Sequence, residues 1–215
     1  MSCYIQYGCG PTAPTGWLNF DASPRLRVER APVIGWAMQQ FGRQAFSRDV
    51  RYGDIVSGLP VVLGSAAGLY CSHVLEHIDR SSVERALSNS LALLRPGGIF
   101  RVVIPDLEAR ARQYLSDLTA AQSYASDRFL QGCYLGEEAR PRGIGGWARA
   151  ILGNSRHRWM YDRSQFRQML ADAGFADIRD CEFGDCADPK FADVEALDRF
   201  VDAGIKEIAI EARRP

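Results

Sequence analysis

Short apolar runs of strand length alternate along the chain with longer segments whose apolar positions recur three and four apart. The β-prone runs fall near residues 4–7, 17–21, 50–53, 67–71, 99–104, 178–184 and 206–212, and the helical segments at 33–45, 81–94, 107–130 and 163–173. Strands alternating with helices predict an α/β fold, a parallel sheet covered by helices. The helix at 81–94 has both ends marked: Ser81 or Ser82 can cap it, Val83, Leu87, Leu91 and Leu94 follow at helical spacing, and Pro96-Gly97-Gly98 ends it. The helix at 163–173 begins at Asp162, shows Phe166, Met169 and Leu170, and stops at Ala173-Gly174-Phe175, with Gly174 as a left-handed cap.

The strand ends carry the candidate chemistry. Tyr4-Ile5-Gln6-Tyr7 runs into Gly8-Cys9-Gly10, and Gly16-Trp17-Leu18-Asn19-Phe20-Asp21 follows. A strand ending in Gly-x-Gly lets backbone approach a ligand, and a carboxylate closes the next apolar run, which outlines a nucleoside-cofactor site. Gly53-Asp54-Ile55 ends the third strand, Ala67-Gly68-Leu69-Tyr70-Cys71 leads into Ser72-His73-Val74-Leu75-Glu76-His77, and Leu94-Arg95-Pro96-Gly97-Gly98 precedes Ile99–Pro105.

In this order of motifs the chain resembles the class I S-adenosylmethionine-dependent methyltransferases, most closely their small type 11 branch. The resemblance is good over residues 3 to about 106 and moderate over the last 60. It implies a Rossmann-like, mostly parallel seven-stranded sheet with an antiparallel last strand and helices on both faces. Carboxylate-rich 185–204 would then be a loop or short helix joining the antiparallel pair. The cofactor implied is S-adenosyl-L-methionine, held by Gly8, Cys9, Gly10, Asp21, Asp54, Ile55, Ser72 and His73. Asp21 would accept from two ribose hydroxyls and Asp54 from the adenine amino group, with the Ile55 N–H donating to the ring; carboxylates suit both tasks because they offer only acceptors. Read without the resemblance, Asp21 is an Asx turn before Ser23-Pro24 and Asp54 a loop aspartate. Two departures stand out. The loop from Gly8 to Gly16 is too short for the helix that usually crosses over there, and Thr12 stands where a third glycine is expected.

Methyl transfer from a sulfonium needs an acceptor held in line and, for oxygen, a proton removed. The chain has three histidines, His73, His77 and His157, and all three are candidate catalytic bases. His73 and His77 lie four apart, a spacing that also suits a metal, but no carboxylate or third histidine is placed by sequence to complete a site, so no metal is assigned. The bland alternative is that His73 abuts the cofactor by its backbone and His77 packs on the sheet. His157 sits in Arg156-His157-Arg158-Trp159-Met160-Tyr161-Asp162, a string similar to one found in type 11 relatives among surface-polysaccharide enzymes. On this reading His157 takes the proton and Arg156, Arg158 or Tyr161 orients the acceptor; the alternative is a packed start to the following helix. Asp106 and Glu108 are second-rank candidates.

With 215 residues, 47% hydrophobic and 24% charged, the chain has the length for one substantial core, a single domain over 1–215 in which 107–160 forms an acceptor-side cap. The Gly143–Trp147 stretch reads as a mobile loop of that cap. Net charge is zero, which points to no nucleic acid, yet residues 139–163 carry six arginines against one aspartate, and 177–202 nine carboxylates against three basic residues. The arginines fit a small-molecule or glycan acceptor bearing phosphate or carboxylate, and equally a solvated face or a strip against lipid headgroups. The cysteines at 3, 9, 71, 133, 181 and 186 show no zinc spacing and read as scattered thiols of a reducing compartment. No leader pattern precedes the first strand and no run approaches the ~20 apolar residues of a membrane span, so a cytoplasmic protein without a transmembrane segment is expected. The competing readings are a non-catalytic relative serving as a scaffold, and a nicotinamide dehydrogenase, disfavoured by the missing third glycine and helix.

Overall fold

The computed structural model describes residues 2–30, 46–136, 143 and 156–215. The helix expected at 33–45 and most of the glycine-rich loop at 143–147 lie outside them. Among the described residues the strands are β1 (Cys3–Tyr7), β2 (Leu18–Asp21), β3 (Val50–Tyr52), β4 (Ala66–Ser72), β5 (Leu94–Ile104), β6 (Ala176–Asp180), β7 (Val201–Asp202), β8 (Ile205–Lys206) and β9 (Ile208–Arg213). The helices are α1 (Pro24–Arg30), α2 (Arg80–Leu93), α3 (Leu107–Thr119), α4 (Ala125–Gly132) and α5 (Arg163–Asp172). A seven-stranded sheet has the order β3-β2-β1-β4-β5-β9-β6, with β9 antiparallel to both neighbours and the other pairs parallel. None of the described helices is long and apolar enough to cross a membrane.

The period of two along each strand divides the core. Ile5 and Tyr7 of β1, Leu69 and Cys71 of β4, Phe100, Val102 and Ile104 of β5, and Ile208 and Ile210 of β9 share one cluster with Val83, Ala86 and Leu87 of α2 and Phe166, Met169 and Leu170 of α5. The opposite parity puts Tyr4, Tyr70, Ile99, Val103 and Ala209 in a second cluster with Trp17, Phe191 and Phe200. No helix joins β1 to β2, as the short loop required. This face is instead covered by a strap of 3-10 turns, Pro189–Asp193 and Leu197–Arg199, which lays Phe191 beside Trp17 and Tyr70. Tyr4 and Trp17 donate to the strap's Asp188 and Asp193. Gly68 makes this close approach feasible, since a Cβ there would lie 2.8 Å from the Tyr4 ring and 3.1 Å from Phe191.

Several element ends differ from expectation for local reasons. Asp79, rather than Ser81 or Ser82, stands at the N-cap of α2; its carboxylate takes the Ser82 hydroxyl and no backbone N–H, and β5 already starts at Leu94. The strand expected at 178–184 is β6, ending at Asp180, because the chain turns there into the strap. The run at 206–212 is divided between β8 and β9 at Glu207, which turns inward to Arg110. Asp162 caps α5, accepting from the Gln165 N–H, and Gly174 takes the left-handed position (φ +97°) as expected.

The helix expected over 107–130 is two helices. α3 ends in a Schellman motif in which the Ala121 N–H donates to Leu118 and the Gln122 N–H to Asp117, with Ala121 at φ +53°. An alanine in that place gives no sequence signal. It is also strained, so Ala121→Gly at this exposed position should raise stability by about 0.5–1 kcal/mol, read by chemical denaturation.

Candidate active site

The parallel register brings the carboxyl ends of β1, β2, β3 and β4 to one edge. There a cleft of about 300 Å³ is lined by Gly8, Gly10, Asp21, Asp54, Ile55, His73 and His77, among others. Gly8 has φ +64°, and a Cβ on it would come 2.0 Å from a Val74 methyl, so only glycine lets the two strand ends approach. The Gly10 N–H and the Ser23 N–H donate to the two oxygens of Asp21, at 2.9 and 2.7 Å. The Asx turn and the ligand reading are therefore compatible, because a carboxylate has lone pairs to spare for ribose hydroxyls. Asp54 is similar: it receives the Val56 N–H and the Ser57 hydroxyl and still lines the cleft. Thr12 closes the loop by donating both its N–H and its hydroxyl to the Cys9 carbonyl, which occupies the place of the absent glycine with a turn.

Two residues of the expected cofactor set turn their side chains away, which leaves their backbone for the cofactor. The Cys9 side chain turns inward to Leu26 and Val50, where burial first, then the Asp21 charge, pushes its thiol pKa up to about 12. Ser72 shares the parity of Tyr70, so its hydroxyl lies beside the Tyr70 hydroxyl on the second face and outside the cleft lining. All six cysteines are free, as read from their spacing.

A second, polar cleft of about 260 Å³ adjoins the first and shares His73 and His77 with it. His157, Arg110, Tyr134, Asp198, Arg199, Asp202 and Glu207 complete its walls. Thus the three histidines of the chain stand in one place. His73 leaves β4 in the left-handed region, φ +53°, with its N–H donated to the Val103 carbonyl, a conformation of the kind held at functional sites. A 3-10 turn, Leu75–His77, then swings Glu76 inward and His77 toward the cleft. The Glu76 carbonyl accepts the Arg158 and Trp159 N–H groups, at 2.7 and 3.2 Å, and so carries His157 to within 5.1 Å of the His77 ring.

The free tautomers of all three imidazoles are set by acceptors that cannot donate. His77 Nδ1 donates to the Arg156 carbonyl (2.8 Å), His73 Nε2 to the Arg199 carbonyl (2.9 Å) and His157 Nδ1 to the Met160 sulfur (3.1 Å). The other ring nitrogens of His73 and His77 face the Glu76 carboxylate at 3.3 and 3.9 Å. Burial works to lower the His73 pKa, but the Glu76 carboxylate and the Arg199 carbonyl outweigh it and the net direction is up. His157 goes the other way: burial and, after the opposing pull of Glu76, the charges of His77, Arg110 and His73 lower it to about 4, so it is neutral at pH 7.

Of the string around His157, the other side chains have different tasks. Tyr161 is fully buried against Phe166 and cannot orient an acceptor, while Arg158 lies at the surface, 3.6 Å from Asp79. Asp106 caps α3 and Glu108 pairs with Arg112 on its outer face; neither is among the residues lining these two clefts. Sequence reading missed Glu76, Arg110, Tyr134 and Glu207. Arg110 binds Glu207 through two nitrogens at 2.7 and 2.8 Å and also holds Asp202 at 3.1 Å, a buried fork that fixes the cleft floor. Tyr134 is the left-handed residue closing α4, φ +53°, and its ring meets His157 at 4.8 Å.

A methyltransferase-domain family model matches residues 8–179, and the chain belongs to that family, the class I S-adenosyl-L-methionine-dependent methyltransferases. Among solved structures, a SAM-dependent methyltransferase from Archaeoglobus fulgidus is 15% identical, with 99% of this chain and 86% of that one covered at a TM-score of 0.50, a likeness of fold. The CurJ carbon methyltransferase is 15% identical, over 99% of this chain and 48% of that one, at a TM-score of 0.48. The citrinin polyketide synthase CMeT domain is 13% identical, over 99% and 46%, also at 0.48. The present chain thus spans about half the length of these last two. No curated protein matches it.

Proposed function

We propose that the chain transfers the methyl group of S-adenosyl-L-methionine to a hydroxyl oxygen of a small-molecule or glycan-type acceptor. The observation that carries this reading is the meeting of two clefts at His73 and His77, one lined by backbone and carboxylates suited to a nucleoside, the other by three imidazoles. Bound S-adenosyl-L-methionine supplies an already activated methyl group. Gly8, Gly10, Asp21, Asp54 and Ile55 hold the cofactor, and the imidazole cluster receives the acceptor's proton.

Among the described residues the cleft walls suit a polyhydroxylated acceptor, with Arg199 beside it for a carboxylate or phosphate group. Arg110 is already engaged by Glu207 and Asp202, whereas the carboxylates of Asp198 and Asp202 offer acceptors to sugar hydroxyls. A role in polysaccharide synthesis is one setting for such an acceptor.

The test has two arms. S-adenosylhomocysteine at about 100 times its Kd should stabilise the fold by ~2.7 kcal/mol and NAD should not; no shift at millimolar concentration would remove the cofactor assignment. Labelled methyl transferred to a panel of sugars and polyols should appear as a base-stable ether. Label recovered only on nitrogen or carbon acceptors would defeat the hydroxyl reading and leave the cofactor site standing.

A further inference from the structure

Glu76 sits at the centre of the histidine cluster with no exposed surface, and neither carboxylate oxygen receives a well-formed hydrogen bond. What faces it is a set of ring nitrogens. His77 spends its Nδ1 proton on the Arg156 carbonyl and His73 its Nε2 proton on the Arg199 carbonyl, which turns the lone-pair nitrogen of each toward the carboxylate. Lone pairs on nitrogen directed at a buried anion are mutually unfavourable unless a cation lies among them, and a proton on His73 Nδ1 would answer only the His73 contact and leave that of His77.

We propose that Glu76, His77 and His157 bind one divalent metal ion of the zinc class, with His73 at the edge of the site. One ligand atom from each of the three lies within 4.8 Å of the others, so a shift of about 1 Å per side chain brings them to the ~2.0–2.2 Å bonds of such an ion. Two imidazoles and a carboxylate are the donor set that borderline divalent ions prefer over magnesium or calcium. The carbonyl behind His77 and the sulfur behind His157 hold ring orientation, as groups behind metal-binding histidines do. The polar cleft supplies an entry path and leaves one side open. Metal binding stands on this geometry alone; with the ion held, His77 and His157 serve as ligands and His73, outside the ligand set, is left to receive the proton, so the task given to the ion, binding the acceptor hydroxyl and making it easier to deprotonate, rests on the hydroxyl-acceptor reading.

The experiment uses the full chain stripped with chelator and titrated with Co²⁺, without cofactor or acceptor. One equivalent should bind with visible d–d absorption, be displaced by one equivalent of Zn²⁺, and raise the melting temperature. Glu76→Gln and, as a partly exposed second choice should that variant fold poorly, His77→Ala should each weaken binding by at least ~10–100-fold. Absence of uptake by the parent protein would overturn the proposal. So would stoichiometric uptake unchanged in a folded Glu76→Gln or His77→Ala variant. S-adenosylhomocysteine binding is measured in parallel, so loss of the metal site is distinguishable from loss of the cofactor site.

Discussion

His157→Ala should lower methyl transfer by roughly 10²–10⁴-fold while leaving S-adenosylhomocysteine affinity within about twofold. The expected split follows from placement: His157 lines the polar cleft and not the cofactor cleft, whereas His73 and His77 line both. It is 8% exposed and wedged between the His77 and Tyr134 rings, so its removal takes a neutral imidazole from the centre of the cluster. Turnover must be expressed per folded molecule, with circular dichroism and melting temperature as controls. Tyr161→Phe is the matched comparison, because its ring packs in the core with Phe166, and turnover there should be unchanged. A His157→Ala enzyme within threefold of the parent would make His157 a wall of the cleft and leave proton removal to His73 or His77.

The half of the site that could be read from sequence is the half built by strand ends. Gly8, Gly10, Asp21, Asp54 and Ile55 follow their strands directly, so finding the strands located the residues. Side-chain direction needs the further step of strand parity: Ser72 lies two residues after Tyr70 and must share its face. Glu76 was harder. A helix would set His73 and His77 on one face and turn Glu76 aside, but His73 is left-handed and only Leu75–His77 form a 3-10 turn, which places all three together. The approach of His157 depends on backbone bonds to Glu76 across more than 80 residues, and Arg110 meets Glu207 across 97. No local pattern encodes such pairings. Arg101 was different, since a lone charge inside the apolar run Ile99–Ile104, with Glu211 inside Ile208–Ala212, is a signal of a buried ion pair.

That pair supports the second large prediction: Arg101→Ala should cost about 3–5 kcal/mol of stability, the loss expected when one partner of a buried pair is removed. Arg101 is fully buried, and adjacent strands set it opposite Glu211, which in turn lies opposite Arg179. Its guanidinium binds Glu195, the Glu211 carboxylate at 2.8 Å, the Cys181 sulfur at 3.0 Å, and the carbonyls of Glu182 and Asp185 at 2.8 and 2.9 Å. Alanine would leave two carboxylates buried, at 1% and 4% side-chain exposure, with part of their compensation gone. Arg101→Lys keeps the charge but not the fork of donors, so its stability should fall between. Since the lost bonds tie the strap to the sheet, hydrogen exchange at 182–195 should accelerate before the rest of the fold opens. The strap also carries Arg199, whose carbonyl orients His73, so transfer activity should fall with the strap's protection. A loss below about 1 kcal/mol, an ordinary substitution, would mean that the aromatic contacts of Trp17 and Phe191 hold the strap without the charge network.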